Sequence, residues 1–398
     1  MSDIKLLTIP AGKLGIIAME NILPLAEKVD AYIASWRSER EKLADEHELH
    51  FQGYKRDSYI LETTVPRFGS GEGKGQILES VRGMDIYIML DVLNSSLTYK
   101  LSGMINHMSP DDHYQDLKRI IGAIQGKANR ITVIMPFLYE SRQHRRTSRE
   151  SLDCAAMLQE LFSLGIDDII TFDAHDPRVQ NAIPNKGFEN VPCTYQFIKQ
   201  LVKCAPDIRY DSDHLMVVSP DEGGMNRAVT VANYLGVNVG MFYKRRDYTR
   251  VVNGTNPIVA HEYLGNDLDG KDVLIFDDMI SSGGSMLEVA AELKKRNAGR
   301  VFMGATFGLF TNGLEKFDKA YEEGLIYKVL TTNLTYQKPE LFERPYYSSV
   351  DLSKYIALII DNLNHNNTLG ELLVPTDRIN RFLAKHKAEI AALDAQNK

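Results

Sequence analysis

Short apolar runs of strand length recur along this chain, each separated from the next by a stretch with helical apolar spacing. IYIML (86–90), ITVIMPF (131–137) and DDIITFDAH (167–175) read as strands, with HYQDLKRIIGAI (113–124) and SRESLDCAAMLQELFSLG (148–165) as amphipathic helices between them. The second half repeats the logic. HLMVVSPD (214–221), VNVGMFYK (237–244), KDVLIFDDM (271–279) and RVFMGATF (300–307) read as strands, NRAVTVANYLG (226–236) and SMLEVAAELKKRNAG (285–299) as helices. Strands that alternate with helices imply parallel sheets covered on both faces, so the expected class is α/β with two domains of one plan, 1–195 and 196–398. Two regions depart from it. Residues from about 19 to 59 are helical and charged and read as an inserted surface element, with Trp36 packing one helix face; 385–398 read as an exposed helical tail.

Composition narrows the class further. A formal charge of -7 on 398 residues argues against a general nucleic-acid binder, which needs a net basic footprint. Three cysteines without a C-x-x-C fit a reducing, cytoplasmic setting better than a disulfide framework or zinc site. The N-terminal stretch lacks a signal-peptide pattern, and no run reaches the ~18 apolar residues of a membrane span. Within this acidic chain, two short basic runs stand out: SRQHRR (141–146) and KRRDYTR (244–250).

VLIFDDMISSGGSMLEVAAEL (273–293) carries the most chemistry. A buried strand runs into Asp277 and Asp278, and a loop of Ser281, Ser282, Gly283, Gly284 and Ser285 then opens a helix. Such a loop at the carboxyl end of a parallel strand lets backbone N–H groups converge on a phosphate, aided by the helix dipole. Two carboxylates beside it accept hydrogen bonds from sugar hydroxyls. Together they describe a sugar-phosphate site; the competing reading is an aspartate pair that only caps a turn.

This segment resembles the phosphoribosyl-pyrophosphate loop of the phosphoribosyltransferase fold, with Ser281 where that loop has an acid. Four more segments, in order over about residues 65–365, resemble the ribose-phosphate pyrophosphokinase family. RFGSGEGKGQILESVRG (67–83) matches a Phe-x-Asp-Gly-Glu turn followed by Glu-Ser-Val-Arg-Gly, where the turn holds the adenine of ATP bound to a neighbouring subunit. The resemblance gives Phe68, Ser70 and Glu72 to ATP, with Ser70 in place of the family's Asp, and Arg82 to a regulatory phosphate or nucleotide site. In the first basic run Arg142 and Gln143 match an ATP-binding Arg-Gln pair, and His144 stands where the family has an acid. TFDAHDPRVQ (171–180) makes His175 a ligand of the Mg²⁺ carried by ATP, and VVSPDEGGMNRA (217–228) makes Asp221 a second metal-side residue. The second basic run matches the start of a catalytic loop, with Lys244 and Arg246 stabilising the transition state.

The resemblance thus implies two phosphoribosyltransferase-like domains, and transfer of pyrophosphate from Mg·ATP to the C1 hydroxyl of ribose 5-phosphate with release of AMP. It also implies a homo-oligomer built from dimers, with no nucleic acid and no membrane among its partners. Two other readings stand beside it: a catalytically weak, nucleotide-binding regulatory paralogue, motivated by Ser70, His144 and Ser281, and a transferase that consumes phosphoribosyl pyrophosphate.

Overall fold

The computed structural model describes residues 9–43, 51–246 and 258–396. The chain divides into two units. The first takes the described residues up to Pro192 together with Asn333–Tyr336 and Asp351–Val374; the second takes the rest. Both are α/β with parallel sheets flanked by helices.

In the first unit, five strands pair in chain order, all parallel: Lys13–Ala18, Met84–Met89, Arg130–Ile134, Asp168–Phe172 and Gly187–Val191. Met84–Met89 is buried at every position, as a central parallel strand covered on both faces must be. The helix Pro110–Ile124 begins with a capping box between Ser109 and Asp112 and has Pro110 in its first turn, where a missing N–H costs nothing. Its buried face is Tyr114, Leu117, Ile120, Ile121 and Ile124. The next helix, Asp153–Ser163, starts five residues later than 148. Ser148 instead donates to Glu150 and Ser151 to Asp153, local bonds that hold the chain in turns.

The region expected as a surface insertion is different in kind. Leu23–Leu43 is a helix whose Leu25, Ala26, Val29 and Ile33 are buried, and it packs on the helix Ser353–Asn364. Arg37 is fully buried between them, bonded to Asp361 at 3.0 Å and Asn364 at 2.7 Å, with the Tyr54 and Tyr59 rings at 4.7 and 5.0 Å from its guanidinium. This pairing also corrects the expected division of the chain. Residues 351–374 belong to the first unit, so 196–398 is not one continuous domain.

In the second unit, seven strands lie in the order Ile258–Leu264, Asn238–Arg246, Leu215–Ser219, Asp272–Ile280, Val301–Gly308, Lys328–Thr332, Tyr347–Val350. Only the first pair is antiparallel. Met216, Val218, Val273, Ile275, Met303, Val289 and Leu293 form the core between this sheet and its helices. From Leu215–Ser219 the chain first builds outward on one side, then returns to lay Asp272–Ile280 on the other. The strand order therefore reverses between those two neighbours, and in open α/β sheets a ligand crevice forms at such a point. The first unit's sheet, wound in one direction, has no such reversal among its described strands.

Candidate active site

At the reversal point, the carboxyl ends of Leu215–Ser219 and Asp272–Ile280 lead into two helices, Met225–Leu235 and Gly284–Lys295. Neither helix start is capped by a side chain. Two sets of first-turn amides thus sit at the end of one sheet, each with its partial positive charge, as an anion site requires.

Asp272–Ile280 does not stop at the aspartates. It continues through Asp277 and Asp278 because the long neighbour Val301–Gly308 keeps pairing with it, up to Ile280 against Gly308. Opposite strand faces then take the two side chains: Asp278 is buried and Asp277 half-buried. Arg227, in the first turn of Met225–Leu235, lies 3.3 Å from Asp277 and 3.8 Å from Asp278. Asp277 also accepts the Asp278 N–H at 2.8 Å. Asp221 caps its own turn by accepting the Gly224 N–H at 3.1 Å. Gly224 keeps this turn close, since a Cβ there would lie 2.8 Å from Ser219 Oγ and 3.2 Å from Asp277. Burial, helped by the charges of Asp278 and Asp221, pushes the Asp277 carboxyl up to about 7 against the pull of Arg227.

Ser281 and Ser282 follow the strand, and the Ser281 carbonyl is held by the Thr311 N–H at 3.0 Å. Gly283 adopts φ +79°, and a Cβ there would come within 2.2 Å of Phe317 Cζ. The loop can turn this tightly onto its helix only with glycine. Arg227 is the residue of this site that the sequence reading did not assign. A cation is disfavoured beside a helix N-terminus, so an arginine three residues into a helix that follows Pro-Asp-Glu-Gly-Gly is itself a sign of a carboxylate partner.

The residues expected to hold ATP, the cation ligand His175 and the regulatory candidate Arg82 lie in the first unit, in four places. Arg142 and Gln143 are exposed on a cleft of about 290 Å³ with Val92, Leu93, Pro110, Phe137 and Tyr139 as its apolar walls and Glu140 and Ser141 beside them. Tyr139 stacks on Tyr114, with centroids 4.5 Å apart and planes within 6°. Phe68, Ser70 and Glu72 form a separate tight turn, closed by Phe68 N–H to the Glu72 carbonyl at 2.8 Å and Ser70 Oγ to Glu72 at 2.7 Å. Phe68 is 56% exposed and does not line the cleft. His175 follows the strand Asp168–Phe172 and lies beside His144, with ring centroids 5.4 Å apart. Arg82 is exposed at the amino end of Met84–Met89, whereas the cleft is at the carboxyl end, roughly 20 Å along a six-residue strand.

Among the described residues, no group of three or more His, Cys, Asp or Glu is arranged to hold a metal by itself. His175 and Asp221 lie in different units. Each offers a single donor, which suits a divalent cation that arrives with phosphate oxygens already bound and not one held by a dedicated protein cage. Lys244 and Arg246 end the strand Asn238–Arg246, but their side chains, like the residues after them, lie outside the described residues. No described helix is long and apolar enough to cross a membrane, and none of the three cysteines forms a disulfide.

Comparison with known proteins adds a lineage. Residues 14–165 match the family model for the N-terminal domain of ribose phosphate pyrophosphokinase, and 197–322 match the phosphoribosyl transferase domain. The ribose-phosphate pyrophosphokinase of Vibrio cholerae is 29% identical over 315 residues, which is 78% of this chain and 90% of that one. The enzyme of the same name from Pasteurella multocida is 30% identical over 259 residues, 64% of this chain and 74% of the relative. In fold, the chain is similar to phosphoribosylpyrophosphate synthetase from Mycobacterium smegmatis, with a TM-score of 0.67 and 22% identity, covering 89% of this chain and all of that one.

Proposed function

As the chain belongs to the ribose-phosphate pyrophosphokinase family, we propose that it is the enzyme that transfers pyrophosphate from Mg·ATP to ribose 5-phosphate. The observation that carries this reading is the pairing of a diacid with uncapped helix starts at one reversal point of the second sheet. A carboxylate pair suits the vicinal hydroxyls of ribose, and the amides of residues 283–285 with the hydroxyls of Ser281, Ser282 and Ser285 suit its 5-phosphate. Arg227 keeps the diacid from being two unbalanced buried charges until the sugar replaces part of that role.

Arg142 and Gln143 grip ATP, the guanidinium by its bidentate fork, while Phe68, Ser70 and Glu72 serve the adenine. His175 and Asp221 would be the protein partners of a Mg²⁺ ion arriving with the nucleotide, which would supply charge neutralisation when bound. The C1 hydroxyl of ribose 5-phosphate attacks the β-phosphorus and gives up its proton to solvent, the bond from that phosphorus to the α-phosphate's bridging oxygen breaks, and AMP leaves. Little covalent help is needed; position and cations around the reacting phosphorus supply the rate. Lys244 and Arg246 are the cations assigned to that centre. The exposed Phe68, Met104 and Ile105 favour a homo-oligomer, and three cysteines outside any disulfide a cytoplasmic setting.

The test is direct. Purified protein given Mg·ATP should release AMP only when ribose 5-phosphate is present. ATP and ribose 5-phosphate that both bind without any AMP forming would overturn the reading.

A further inference from the structure

His144 carries an atom that the proposed function leaves unexplained. Its Nδ1 is buried and has no hydrogen-bond partner. A buried polar nitrogen is ordinarily satisfied, because leaving it bare costs stability. Its other ring nitrogen, Nε2, faces Asp176 at 3.5 Å. That carboxylate is itself fixed by Arg178, with Nε at 2.9 Å and Nη2 at 2.5 Å. A carboxylate on one nitrogen and a bare second nitrogen is how a protein orients an imidazole that ligates a metal.

The neighbouring ring is His175, the residue already given to the cation. Two imidazoles that share an ion at about 2.1 Å set their centroids roughly 4.5–5.3 Å apart for angles from square to tetrahedral. The observed 5.4 Å lies just beyond the wide end of that span, with the ring planes 48° apart.

We propose that His144 joins His175 in binding the divalent cation of the nucleotide, with Asp176 as the positioning residue. This rests on the reading of His175 as a cation ligand. Two nitrogen donors change the preference of the site. Mg²⁺ takes oxygen ligands and gives up its waters reluctantly, whereas Mn²⁺ and Co²⁺ accept imidazole readily. The site therefore takes Mn²⁺ or Co²⁺ in preference to Mg²⁺, with oxygen donors in the remaining positions.

Pulsed electron paramagnetic resonance on full-length protein with Mn²⁺·ATP, without ribose 5-phosphate, reads nitrogen ligation directly. Wild type should show coupling to two imidazole nitrogens, shifted to the ¹⁵N frequency when its histidines are ¹⁵N-labelled. His144→Asn and His175→Asn should each leave one. The dissociation constant for Mn²⁺·ATP should rise about tenfold or more in His144→Asn, and the one for Mg²⁺·ATP by much less. His144→Gln repeats the test with a different side chain, and circular dichroism verifies folding. Coupling to a single nitrogen in wild type, lost only on His175→Asn, would overturn the proposal and leave the assignment of His175 intact. No nitrogen coupling in wild type would overturn both, while AMP release with ribose 5-phosphate, assayed separately, would still judge the function.

Discussion

In the proposed reading, Asp277 is the residue whose state governs the ribose site. Its folded value lies above the ordinary carboxylate range, near 7, so the fold favours its neutral form. The sign follows: stability from this group is full below its ordinary value near 4 and is lost as pH rises toward 7. Asp277→Asn should therefore raise the Tm at pH 8, by about 2–4 °C for each kcal/mol relieved, and weaken ribose 5-phosphate binding. Calorimetric titration should also find wild-type binding tightening as pH rises through about 7, in a step absent from Asp277→Asn. A flat wild-type profile would take Asp277 out of recognition. For the reaction itself, Lys244→Ala should cut kcat by ~10²-fold or more with ribose 5-phosphate affinity little changed; a wild-type kcat would remove Lys244 from the mechanism. The acids and serines of the loop were legible because strand, acid pair and glycine loop are contiguous. Arg227 was not, because its role is a contact across 50 residues that no local pattern encodes.

At the scale of elements, the sugar-phosphate loop depends on one backbone angle. Gly283→Ala would force a side chain into the left-handed region and against Phe317, a loss of about 2–4 kcal/mol. Thermal melting should show it together with weaker ribose 5-phosphate binding; an unchanged Tm would mean the loop has another conformation. The helix Leu23–Leu43 makes a second case. Arg37→Ala leaves Asp361 buried with Arg40, at 2.6 Å, as its remaining arginine partner, and should cost about 3 kcal/mol or more. The chain's one tryptophan, Trp36, is the adjacent reporter in a urea titration; a midpoint like that of wild type would make this ion pair dispensable. Periodicity located the buried strands and most helices well. It misjudged this helix, because Arg37, Arg40 and the acids around them look like a solvated face. A charge that is buried with its partner elsewhere in the chain reads the same as one in water.

Across the whole molecule, alternation of strand and helix was enough to reach α/β architecture in both halves. Two properties lay beyond it. The return of residues 351–374 to the first unit is set by packing on a helix more than 300 positions earlier. The reversal of strand order that creates the crevice depends on which strands pair, and pairing is not written in any one segment. The two basic runs in an acidic chain now have separate places. One borders the cleft of Arg142 and Gln143, and the other ends the strand Asn238–Arg246. In the proposed reading both serve phosphate chemistry, which a net charge of -7 conceals. The central claim is that the bond between the α- and β-phosphates of ATP is the one that breaks. Phosphorus NMR of the full chain with Mg·ATP and ribose 5-phosphate follows every product at once. It should show AMP and a C1-linked pyrophosphate rising in equal amounts, with no ADP. ADP in place of AMP would mean transfer of the γ-phosphoryl group, and would contradict the account.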